Sequence, residues 1–172
     1  MIFTPASIDQ ILKGKKTQTR RPVKDTHAFC HDVGDQSEVY EVWGEYATRG
    51  PRDIWARGRT YAIQPGRGKK QIGRFKLNRI RREHLGDISP EDAMAEGLMV
   101  VAPASKGNWG IYRYGRDPEK GHDIMWSAPS ITEAYIEMYQ SMHPKAKRED
   151  LIWVLEFELD PVTGVIVPGV GS

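Results

Sequence analysis

A short run of cationic and hydroxyl side chains, residues 11–22, is the part of the sequence best equipped for chemistry. It contains five cations, two threonines and one glycine, and no acidic residue lies within it. Lysine and arginine bind anions and stabilise developing negative charge, and a threonine hydroxyl attacks a carbonyl carbon once a base has taken its proton. The run is therefore either a solvated basic turn or the floor of a site for a polar or anionic ligand.

The residues before this run predict a helix that ends inside it. Pro5 suits a first helical turn, and apolar residues follow at helical spacing over 5–13. Gly14 ends this helix as a left-handed cap residue. In a straight strand the side chains of Lys16 and Thr19 would point to opposite faces. They could converge only if the chain bends between them. Because the chain must turn away from the helix axis after Gly14, we predict a bend just after this residue.

A second predicted helix carries a carboxylate at an unfavourable position. Ser89 is a good N-cap, Pro90 suits the first helical position, and Gly97 ends the helix. Glu96 therefore lies in the last turn, where the helix dipole disfavours a negative charge. Its presence there is a mild indication of a functional role.

The remaining pattern predicts a small mixed sheet and about three helices. A capping box at Ser130 begins a helix that runs to about His143, and alternation predicts a last strand over 153–159. Further strands are predicted at 1–4, 39–43, 60–63 and 71–82, and loops at 23–38 and 44–58. The fold class that accounts for this order is α+β, as a small curled β-barrel flanked by helices, in a single domain over 1–160. The tail, 161–172, is predicted to be loosely ordered.

Residues 99–128 combine glycines with aromatic and cationic side chains, and two interpretations of them stay open. As a flap inserted into the domain, the segment would use Trp109 and Tyr112 to bind a base-containing substrate by stacking. Alternatively, it is a hairpin whose aromatic side chains cover one edge of the core.

The composition limits the classes of function. The formal net charge is +2, without the strong imbalance of a dedicated duplex-binding protein. Cys30 is the only cysteine, so no intrachain disulfide can form and no second thiol supports a metal site with His27 and His31. We predict no metal and no cofactor. Because no signal-peptide pattern and no apolar run of membrane-spanning length is present, we expect a cytoplasmic protein with no membrane partner.

The basic run from Gly14 resembles the G-x-K-x-x-T-x-R signature of the ASCH domain superfamily, whose fold is PUA-like. The segment 95–98, Ala-Glu-Gly-Leu, is similar to that family's second motif, and the strand over 153–159 is similar to its usual last strand. The likeness extends from the first predicted helix to this last strand. It implies a PUA-like curled barrel.

The chain also resembles one branch of the superfamily, the small bacterial N4-acetylcytidine amidohydrolases, and this resemblance implies an activity. By this resemblance Lys16, Thr19 and Glu96 are catalytic, and the reaction removes an acyl group from the exocyclic amine of N4-acylated cytosine or cytidine without a metal. The expected partner is a small modified nucleoside. Arg20 and Arg21 are predicted to bind it, together with the two aromatic residues of the flap.

Two other classes of function remain as alternatives. An RNA-binding module would use an arginine surface and the flap aromatics, and a metal-independent ribonuclease would use Lys and Arg on the phosphate with Glu96 or a histidine moving protons. The arginines of that surface are Arg20, Arg21, Arg79, Arg81 and Arg82. Binding without chemistry predicts a strong dependence on salt and tolerance of Lys16→Met.

Overall fold

Three antiparallel sheets and three helices make up the computed structural model, which describes residues 1–46, 50–116 and 120–160. The predicted fold class, α+β, is confirmed. The helices are α1 (Pro5–Leu12), α2 (Pro90–Ala95) and α3 (Ile131–Met142). The strands are β1 (Gln18–Pro22), β2 (His27–His31), β3 (Val39–Tyr46), β4 (Gly50–Ala56), β5 (Thr60–Ile63), β6 (Gly73–His84), β7 (Met99–Ala102), β8 (Gly110–Arg116), β9 (Asp123–Ala128) and β10 (Leu151–Leu159).

The largest sheet is organised around β10, which lies between β1 and β6 in the order β1-β10-β6-β5. The apolar run of β10 explains this central position, because both faces of the strand are covered. Trp153 and Leu155 belong to a core with α1, β3 and β4, whereas Ile152 on the opposite face belongs to a second core with α2, α3 and β8. The alternation predicted for this strand is therefore incomplete, since its second face is buried too.

Two segments that were predicted as loops contain strands. Residues 23–38 include β2, and residues 44–58 include β4, and both pair with β3 in a three-stranded sheet. The loop predictions were wrong because contacts distant in sequence override the polar composition. Phe29 on β2, for example, packs edge-on against Trp153 with ring centroids 5.5 Å apart. The predicted edge strand at residues 1–4 is reduced to an isolated bridge between Ile2 and Gln64.

The predicted flap, 99–128, contains the third sheet, β7-β8-β9. Tyr112 and Tyr114 on β8 are buried in the core beneath α3. These two tyrosines therefore cover an edge of the core, as in the second interpretation, whereas Trp109 is exposed. The segment contains a sheet and is not the long loop of the first interpretation. The predicted loose tail, 161–172, lies outside the described residues.

A partly buried imidazole, that of His27, contacts the first core and predicts an acid-sensitive fold. The indole nitrogen of Trp153 donates to Nδ1 of His27 at 3.0 Å, which requires that nitrogen to be unprotonated. Burial, and secondarily the charge of Lys24, lower the pKa of His27 below its usual range. Because the unfolded chain then binds more protons, the stability contributed by His27 is lost as the pH falls below the unfolded value of about 6.5.

We expect the melting temperature to fall between pH 7.5 and pH 5, and to fall less steeply in His27→Gln. The matched control is His31→Gln, at the exposed end of the same strand, which should keep the wild-type slope. Thermal unfolding monitored by circular dichroism at a series of pH values measures this difference. If the melting temperature changed equally with pH in the wild type and in His27→Gln, His27 would not be the source of the acid sensitivity.

Candidate active site

The segment between α1 and β1 has the bend that the sequence predicts. Gly14 has φ +67°, and the backbone N–H groups of Lys15 and Lys16 both donate to the carbonyl of Gln10, at 2.9 and 3.1 Å. Strand β1 begins only at Gln18, so residues 16–19 do not form a straight strand. The side chains of Lys16 and Thr19 consequently line the same cavity.

Glu96 is held against Lys16 at the end of α2. It is the C-cap residue of this helix, and the chain turns away at Gly97, whose φ is +102°. The Nζ of Lys16 makes an ion pair with Oε2 of Glu96 and also donates to its backbone carbonyl at 2.9 Å. Both side chains are 3% exposed, so the structure brings together two of the predicted catalytic residues in a buried ion pair.

Arg20 lies beside this pair with a fully buried side chain. Its Nε and Nη2 donate to Oε1 of Glu83 at 2.9 and 2.6 Å, and Nη2 also donates to Oδ2 of Asp92 at 3.0 Å. Its Nη1 donates to Oε1 of Glu96 at 3.1 Å and to Oε1 of Gln18 at 3.4 Å. Since a guanidinium carries five N–H groups, every donor of Arg20 has a protein acceptor.

The charges around Arg20 show in the pKa values of the network. Burial alone lowers the pKa of Arg20, but the carboxylates of Glu96 and Glu83 outweigh it, so the pKa is raised. Burial alone would raise the pKa of Asp92, but hydrogen bonds from Gln18 and Arg81 outweigh burial. The pKa of Asp92 is therefore lowered. Arg20 and Asp92 are therefore charged at neutral pH, as partners in a buried network.

The catalytic candidates open onto a cavity of about 470 Å³, within the range of small-molecule sites. Lys16, Thr19 and Glu96 lie on its wall, and the Thr19 side chain is buried. No described residue makes a hydrogen bond with the Thr19 hydroxyl. The cavity thus presents a hydroxyl without a partner beside an ion-paired lysine.

Of the four predicted substrate-binding residues, only Arg20 and Arg21 line this cavity. Arg21 lines the cavity, and its guanidinium packs over the ring of Phe3 at 5.4 Å and donates to the carbonyl of Ile2 at 3.0 Å. Arg20 also lines it, but with its donors engaged. Trp109 is 61% exposed and Tyr112 is buried in the core, and neither lines the cavity.

Other cavity residues were not predicted as site residues. Tyr135 lines the cavity, with its ring 5.3 Å from the Arg20 guanidinium carbon, and Tyr114 lies 5.8 Å from the Lys16 nitrogen. The Tyr114 hydroxyl shares a 2.7 Å hydrogen bond with Ser7. Tyr135 belongs to the buried face of α3, and the sequence carries no local signal that separates a core tyrosine from a cavity tyrosine.

The predicted RNA-binding arginines are largely engaged within the protein. Arg81 pairs with Glu83, with Asp92 at 2.5 Å and with Glu156 at 3.1 Å. Arg82 packs over Phe29 at 4.0 Å. Arg79 pairs with Glu38 and Glu156, at 2.8 and 3.6 Å.

No helix in the described part of the chain is long and apolar enough to span a membrane. Over residues 1–46, 50–116 and 120–160, no group of three or more His, Cys, Asp and Glu side chains is arranged to hold a metal ion. Comparisons of the chain with protein-family models, with curated proteins and with solved structures find no match. The ASCH assignment therefore stays a prediction from the sequence motifs.

Proposed function

We propose that this protein is an amidohydrolase that removes the acyl group from the exocyclic amine of N4-acylated cytosine or cytidine. The observation that carries the proposal is the buried Lys16–Glu96 ion pair, which lies on one cavity wall with the unpartnered hydroxyl of Thr19. This arrangement holds a nucleophile, a base and an acid in one small cavity.

The ion pair offers a route for the proton that needs no change in the net charge of the site. Lys16 passes a proton to the Glu96 carboxylate that it contacts. The neutral amine then takes the proton of the Thr19 hydroxyl once the bound substrate brings these two groups within hydrogen-bond reach. The threonine oxygen then bonds to the acyl carbon. When the C–N bond breaks, the Glu96 carboxyl returns its proton to the leaving amine, and water hydrolyses the acyl-threonine.

The cavity favours a small ligand over a polymer. Its volume suits a nucleoside, and the arginines on β6 contact carboxylates or an aromatic ring of the protein itself. The curled PUA-like barrel belongs to the same proposal. It is supported by the isolated bridge between Glu38 and Arg81, which connects the sheet containing β3 to the sheet containing β6.

The first test is the ultraviolet spectrum of N4-acetylcytidine over time with the purified protein and a chelator. We expect conversion to cytidine, and a fall in kcat of about 10²–10⁴-fold in Lys16→Met and in Glu96→Gln. The matched control is Lys15→Met, because Lys15 is exposed next to Lys16 and does not line the cavity.

The absence of turnover by the folded wild type across several N4-acylated cytosines would overturn the proposal. Salt-dependent binding of single-stranded RNA that Lys16→Met tolerates would then support the RNA-binding alternative. Equal losses in Lys15→Met and Lys16→Met would show that local charge, rather than the buried pair, controls the rate.

A further inference from the structure

Attack on an acyl carbon places negative charge on the carbonyl oxygen, and a preorganised donor must receive it. The cations nearest to the ion pair cannot supply this donor freely. Arg20 has all five N–H groups bonded to Glu83, Asp92, Glu96 and Gln18. It can hold these acceptors in place, but it has no N–H left for a ligand.

The backbone of the bend is equally occupied. The N–H groups of Lys15 and Lys16 donate to Gln10, and that of Thr17 donates to the carbonyl of Ala95 at 2.8 Å. A bend amide therefore cannot form an oxyanion hole without breaking the turn that positions Lys16. The donor must therefore come from another side chain that lines the cavity.

Tyr135 on α3 meets this requirement. Its ring contacts the Arg20 guanidinium, it lines the cavity, and its hydroxyl makes no hydrogen bond to any described residue. Tyr139, one turn further along α3, also lines the cavity, but its hydroxyl is buried among protein atoms without a partner. Burial, followed by the charge of Glu96, raises the pKa of Tyr135 well above its usual range, so the phenol keeps its proton.

We propose that Tyr135 is a further catalytic residue, whose hydroxyl donates a hydrogen bond to the acyl carbonyl oxygen as that oxygen becomes an oxyanion. This inference rests on the proposed amidohydrolase function. In the attack, the Thr19 oxygen forms a bond to the acyl carbon and the carbonyl π pair moves to the oxygen, which Tyr135 stabilises without giving up its proton. When the oxyanion reforms the carbonyl, the bond to the exocyclic nitrogen breaks.

The test compares Tyr135→Phe with Tyr40→Phe, which removes an exposed hydroxyl from β3. For Tyr135→Phe we expect kcat to fall about 10²–10³-fold, the loss typical of one oxyanion donor. The binding of N4-methylphosphonyl cytidine, whose tetrahedral oxyanion mimics the intermediate, should weaken by a similar factor. The binding of cytidine, which lacks the oxyanion, should change little.

The possible results separate the two proposals. A wild type that hydrolyses no N4-acylated cytosine would overturn both. An active wild type with unchanged kcat in Tyr135→Phe would overturn only the role of Tyr135. A selective loss of analogue binding in Arg21→Gln, but not in Tyr135→Phe, would assign the oxyanion contact to Arg21 instead.

Discussion

Replacement of Arg20 by methionine should lower the free energy of unfolding by about 3–5 kcal/mol, the cost of breaking a buried ion pair by removing one partner. The substitution leaves without this partner three carboxylates, those of Glu83, Asp92 and Glu96, of which Glu96 lines the cavity. Arg81 still pairs with Glu83 and Asp92, and Lys16 still pairs with Glu96. Neither cation contacts all three carboxylates, as Arg20 does. The remaining repulsion and desolvation are therefore uncompensated.

Urea-induced unfolding at neutral pH measures this loss. Arg20→Lys should lose most of the same stability, since one ammonium cannot reproduce five N–H bonds arranged in a plane. The control is Arg52→Met on β4, an exposed position, where we expect a change within about 0.5 kcal/mol. An Arg20→Met protein as stable as the wild type would show that the carboxylates are not held by this guanidinium.

Replacement of Thr19 by valine should reduce kcat for N4-acetylcytidine on the order of 10⁴-fold or more, as expected for loss of a nucleophile. Valine keeps the shape of threonine and replaces only the hydroxyl. Because that hydroxyl has no hydrogen-bond partner among the described residues, its removal leaves no donor or acceptor unsatisfied. We therefore expect the stability to be unchanged or slightly higher, while the activity is lost.

The matched control is Thr17→Val, two residues earlier, where the side chain is exposed. It should keep wild-type kcat. Mass spectrometry after rapid acid quench should detect an acyl group on the wild type and none on Thr19→Val. Turnover by Thr19→Val within about tenfold of the wild type would exclude the threonine as nucleophile and would favour direct attack by Lys16 or by water.

The sequence by itself determined the elements whose ends carry strong local signals. Gly14 and Gly97 have the positive φ values that end α1 and α2, and Ser89 and Ser130 cap their helices as their positions predict. The alternation over 153–159 also predicted the last strand, β10, although not its central position in the sheet. These features could be predicted because each depends on the φ preference, hydrogen bonding or periodicity of residues adjacent in the chain.

Only the tertiary structure decided which polar groups bond to other residues of the protein and which remain available to a ligand. Arg20, predicted to bind substrate, instead bonds three acidic residues that lie 63 to 76 positions away in the sequence. Tyr135 stands in an ordinary helical stripe, yet it lies on the cavity wall. Pairing of charges and the position of a cavity depend on how sheets and helices pack over long separations, and no local pattern of residues encodes that packing.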